Sequence, residues 1–106
     1  MILTTGPGVE GRAVADYLGI VNAQAIMGVA IGKDFKALGR NITGGRSGAY
    51  EGEVAEALDA VKGELADAAA ALGADAVIGV DFDYEGVGSN GAMLMVAASG
   101  TAVRLG

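Results

Sequence analysis

Two segments of this chain are apolar at both parities, and no other feature restricts the fold as much. RAVADYLGIVNAQAIMGVAI at 12–31 is rich in Val, Ile and Ala, and AMLMVAASGTAV at 92–103 is similar. Glycines at 19, 28 and 32 are poor in a helix and suggest bulges or bends, so 12–31 reads as one long, bent strand. Side chains of a strand alternate between the two faces of its sheet, so strands of this kind need cover on both. The chain offers one amphipathic helix, which covers one face. A second copy of the same sheet is the economical cover for the other, because large exposed apolar patches are rare on monomers. A homo-oligomer is expected.

The densest signal is AVIGVDFDYEGVGSNGAMLMVAASGTAV at 76–103, which reads as a long hairpin turning at Asn90-Gly91. Both turn residues tolerate the positive φ of a two-residue type I′ turn. That register places Ser89 opposite Ala92, Tyr84 opposite Ala97, Phe82 opposite Ser99, Val80 opposite Thr101 and Ile78 opposite Val103, all on the face toward the helix. The other face then carries Asp81, Asp83 and Glu85 beside Leu94, Val96, Ala98, Gly100 and Ala102.

Met1–Thr5 reads as a short first strand ended by Gly6-Pro7-Gly8. Lys33–Asn41 reads as a polar turn or one to two helical turns, leading into a glycine-rich loop. Tyr50, Val54, Leu58, Val61, Leu65, Ala68 or Ala69, and Leu72 recur at spacings of three and four, which predicts an amphipathic helix from Gly48 to Leu72. Ser47 suits its N-cap and Gly73 its C′ position, while Glu51, Glu53 and Glu56 complement the dipole at its start.

A chain of 106 residues with 52% hydrophobic residues is one folded domain. Thirteen acids against seven bases give a net charge of −6 and a pI near 4.3, which argues against a nucleic-acid partner. With no cysteine and no histidine there are no disulfides, no thiolate or histidine catalysis, and none of the usual zinc or copper sites. MILTTGPGVEG lacks the basic and apolar regions of a secretory signal, and Asp16, Asn22, Gln24, Lys33 and Asp34 interrupt the apolar segments well short of a spanning helix. A cytoplasmic protein without a membrane partner is expected.

ITGGRSGAYEGEV followed by LGADAVIGVDFDYEGVGSNGAMLMVAASGTAV, together with GIVNAQAIMG, resembles the YbjQ family, also called the DUF74 family. The resemblance covers nearly the whole chain. It implies an α+β, two-layer, dodecin-like subunit, in which an antiparallel sheet carries one long helix, assembled as a pentameric ring. Members are catalogued as heavy-metal-binding domains, which is a label this chain, lacking His and Cys, is poorly equipped to fit.

Two candidate sites follow from the residues. Asp81, Asp83 and Glu85 alternate onto one strand face, where a divalent cation with oxygen ligands could be held. Carboxylates two apart on a strand are ~6–7 Å from one another, so a compact site needs further copies. The competing reading is a solvated face, or ion pairs with Arg12, Arg40, Arg46 or Arg104. Gly44, Gly45, Arg46 and Ser47, at a helix start, offer N–H groups and a guanidinium to an anion, against a plain reading as a turn and cap. Met93 and Met95 read as gap-filling core or interface. No catalytic constellation emerges, so an enzyme is not expected. Two functions compete: a binding module holding a cation or small ligand, and a scaffold ring with no ligand.

Overall fold

Among the described residues one helix covers one face of the sheet, and the sheet is built to let it approach. The computed structural model describes residues 1–27, 48–88 and 93–106. These form β1 (Ile2–Leu3), β2 (Val14–Met27), α1 (Gly48–Ala71), β3 (Ala76–Val87) and β4 (Met93–Leu105). The four strands lie in the order β1-β3-β4-β2. Helix α1 buries Ala57, Val61, Leu65 and Ala69, flanked by the partly buried Val54, Leu58 and Ala68. Against this stripe the sheet presents Val21, Ala23, Val77, Val80, Val96, Ala98 and Ala102. Alanines at three of these seven positions keep the two layers close.

The end of α1 follows the glycine signal. Gly73 has a φ of 81°, its N–H donates to the Ala70 carbonyl at 2.9 Å, and the Ala74 N–H donates to the Ala69 carbonyl at 3.1 Å. This is a Schellman motif. Leu72, expected on the buried stripe, is instead 47% exposed, because it lies in the turn after the last helical residue.

The sheet is mixed, which corrects the all-antiparallel expectation. β1 pairs parallel with β3, through Ile2↔Ala76 and Leu3↔Val77. The Thr4 N–H donates to the Val77 carbonyl at 3.0 Å, and Val80 and Gly79 donate to the carbonyls of Thr4 and Gly6 at 3.0 and 2.8 Å. No hairpin joins these two strands, so nothing imposes the antiparallel direction.

The β3–β4 register is also corrected. Tyr84 pairs with Val96, Phe82 with Ala98 and Val87 with Met93, one residue away from what a two-residue turn at Asn90-Gly91 would set; the turn itself lies outside the described residues. A one-residue slip exchanges the faces of a strand. Leu94, Val96, Ala98, Gly100 and Ala102 therefore point to the helix side, and Met95, Ala97, Ser99, Thr101 and Val103 to the other. A bulge between Ile78 and Asp81 restores the phase of β3. Gly79, at a φ of 60°, and Val80 together oppose Gly100, so Val77, Val80 and Phe82 all face the helix. Ile78 turns to the second face.

Part of that second face is covered by the chain itself. Ala76, Ile78, Val103 and Leu105 form a small second cluster, against which Val9 of the N-terminal loop and Val14 pack. Elsewhere on it large apolar side chains are exposed, Ile20 by 79%, Tyr17 by 72% and Ile26 by 58%. Strand β2 carries irregularities between Val14 and Asp16 and between Tyr17 and Gly19, the second at one of the three expected glycines, while Gly28, Gly32 and the end of the expected strand at 28–31 lie outside the described residues. The radius of gyration is 16.5 Å, against about 13 Å for a compact domain of this length. Among the described residues no helix is long and apolar enough to cross a membrane. The expected turn at 33–41 and the loop at 42–47 lie outside the described residues.

Candidate functional site

The Gly79 bulge aims the acid strip. With Val80 and Phe82 directed into the core, Asp81, Asp83 and Glu85 alternate onto the open face, and all three are exposed. Pairing through β4 to β2 sets them in three rows: Asp81, Ser99 and Asn22; Asp83, Ala97 and Gln24; Glu85, Met95 and Ile26. The first two rows end on an amide at β2, and the third, Glu85 apart, is apolar. Asn22 and Gln24 went unread as part of this site. Their signal was the alternation Ile20, Asn22, Gln24, Ile26 within an otherwise aliphatic strand.

Two of the three acids interact. The charge of Asp81, then a side-chain hydrogen bond to Asp81, and lastly slight desolvation raise the Asp83 carboxyl above its usual 3.8. Among the described residues no three acids converge where one ion could sit. One of the candidate counter-ions, Arg104, is engaged elsewhere: its Nε donates to Asp16 Oδ2 at 3.0 Å, in an exposed pair across β4 and β2. That pairing raises the Arg104 guanidinium further above its ordinary value.

The donor set decides which ions fit. Carboxylates, the Ser99 hydroxyl and the amide oxygens of Asn22 and Gln24 are hard ligands, suited to calcium, magnesium or manganese. A thiophilic heavy metal finds no thiolate or imidazole anywhere in the chain, and only the thioethers of four methionines remain to it.

On the helix side, Leu3, Thr4, Thr5, Lys62, Val80 and Phe82 line an open groove of about 180 Å³. Its walls are mostly apolar and Lys62 supplies its one charge, a combination the linear sequence gave no means of assembling. The candidate anion site at Gly44, Gly45, Arg46 and Ser47 lies outside the described residues.

Comparison with known proteins agrees with this geometry at the level of fold. The model of the YbjQ family, whose description reads "Putative heavy-metal-binding", matches residues 1–106. The crystal structure of a protein of unknown function from Pediococcus pentosaceus ATCC 25745, assigned to the DUF74 family, is similar with a TM-score of 0.66. The two share 22% sequence identity over 100% of this chain and 98% of that one, a likeness that speaks to fold alone.

Proposed function

The chain belongs to the YbjQ family, and from that premise we propose that it works as a homo-oligomeric module holding a hard divalent cation between copies, with Asp81 and Asp83 as ligands and Glu85 beside them. One observation carries the reading: two carboxylates that repel one another, Asp81 and Asp83, stand exposed on the sheet face away from the helix. A cation relieves the repulsion between them, so its binding is linked to the arrangement that brings copies together. Two carboxylates supply at most about four of the six to eight oxygens that calcium takes. Further copies, with Ser99, Asn22 and Gln24 in the same rows, provide the remainder. The pentameric ring implied by the resemblance is the assembly proposed, and the reading assigns no catalytic step.

The test is thermal unfolding with calcium, magnesium or manganese. A rise in melting temperature with one of these ions is expected for the wild type, and its loss in the Asp81→Asn, Asp83→Asn double variant. No rise with any ion removes the cation from the proposal. A second reading, a scaffold ring without ligand, is favoured by the exposure of Tyr17 and Ile20, because apolar surface drives association without an ion.

A further inference from the structure

We infer that the groove on the helix side of β3 binds a small monocarboxylate with a short apolar body, its charge held by Lys62 and its body laid against Val80 and Phe82. The groove exists because the helix is off-centre: α1 packs chiefly on β2 and β4 and only lightly on β3. The Gly79 bulge returns Val80 and Phe82 to the helix side, where they line this less covered strip. Leu3, Thr4 and Thr5 line it from the β1 side, and Lys62 from α1. Backbone hydrogen bonds fix the β1 side in place. The Thr4 N–H donates to the Val77 carbonyl at 3.0 Å, the Val80 N–H to the Thr4 carbonyl at 3.0 Å, and the Gly79 N–H to the Gly6 carbonyl at 2.8 Å. The concavity is thus formed before a ligand arrives, as small-molecule sites generally are.

Size, charge and hydrogen bonding choose the ligand. The volume of about 180 Å³ slightly exceeds the ~150 Å³ of a cavity that takes benzene, so the body has about six to nine non-hydrogen atoms. A nucleotide or a drug-sized molecule is too large. Lys62 is the one charge at the groove, and among the described residues no carboxylate lines it. In a chain of net charge −6, that makes the groove a local exception which favours an anion. Arg104, by contrast, is already engaged by Asp16. An ammonium donates hydrogen bonds and accepts none. Thr4 Oγ1 accepts from the Gly6 N–H at 3.1 Å, so its hydroxyl hydrogen is what remains to be given. These groups call for an acceptor bearing one negative charge, and Leu3, Val80 and Phe82 call for an apolar body beside it. A monocarboxylate supplies both. Neither the cation nor the assembly proposed above enters.

Benzoate is the probe. The full-length protein, metal-free and in its native assembly, is titrated with it at constant ionic strength and followed by the NMR shifts of its backbone amides. Saturable shifts centred on Thr4, Thr5, Lys62 and Phe82 are expected. Benzamide, of the same shape without the charge, should bind about two- to fivefold more weakly, the range for one exposed charge pair. Lys62→Gln should lower the affinity for benzoate to that for benzamide, and Lys62→Arg should keep most of the difference. Lys62 is exposed on α1, so both variants leave the core untouched. Shifts that stay linear to the limit of benzoate solubility overturn the inference, as do shifts centred on Asn22 and Ser99 of the opposite face. Equal binding of benzamide overturns it by removing the charge. Acetate or inorganic phosphate binding as tightly as benzoate overturns it by removing the apolar body. With no metal present, none of these results depends on a cation at Asp81 and Asp83.

Discussion

A side chain at Gly100 does not fit: its Cβ would lie 2.6 Å from Val77 Cγ1, 3.1 Å from the Ile78 carbonyl oxygen and 3.2 Å from Val80 Cγ2. The bulge at Gly79 brings Val77 and Val80 together over this one position. Gly100→Ala should therefore cost about 1–3 kcal/mol in urea unfolding, as overpacked cores do; a change below about 0.5 kcal/mol would mean that the bulge adapts. Asp83 gives a second prediction. A carboxyl raised in the folded state binds its proton more tightly there than in the unfolded chain, so folding gains stability as pH falls from neutral through the raised value toward 3.8. The gain vanishes as pH rises again. Asp83→Asn removes this dependence, so its melting temperature should exceed that of the wild type most at neutral pH, with the difference closing toward pH 3.8. An equal difference at all pH values would contradict the coupling to Asp81. The face of the acids was legible from alternation alone, but their neighbours were not. Asn90-Gly91 suggested a two-residue turn, and no residue near it signals the one-residue slip that exchanged Val96 for Ala97.

At the scale of elements, α1 was the most legible, because burial at a period of 3.6 and a C′ glycine act within one segment. Leu65 is fully buried, and Leu65→Ala should cost about 2–5 kcal/mol. Leu58 lies at the rim of the stripe and should cost less, and Leu72→Ala less again, by the same denaturant titration. A larger loss at Leu72 than at Leu65 would place the wrong stripe against the sheet. The parallel pairing of β1 was not legible. It depends on contacts between Met1–Gly6 and 75–80, too far apart in the chain for any local turn to announce.

For the whole molecule, the corrected register reverses an expectation about Val96. On the all-antiparallel hairpin with its Asn90-Gly91 register, Val96 faces a neighbouring copy and Val96→Asp should dissociate the ring. Val96 is in fact fully buried beneath α1, so an aspartate there places an unpartnered charge in the core and should unfold the subunit. The exposed Ile20 is the position for separating assembly from folding. Ile20→Asp should leave the fold intact by circular dichroism and lower the mass measured by light scattering; an unchanged mass would remove the open face from the interface. The need for a second cover was legible in the doubly apolar strands. That Val9 covers one end of the face was not, because a single valine in a glycine-rich loop carries no periodicity.

Native mass spectrometry with elemental analysis, at micromolar concentration, measures assembly and cation together. The prediction is a single closed oligomer retaining calcium, magnesium or manganese at a fixed ratio per ring, with the metal lost in the Asp81→Asn, Asp83→Asn variant. A monomer, or a ring that carries no metal after equilibration with these ions, would contradict it.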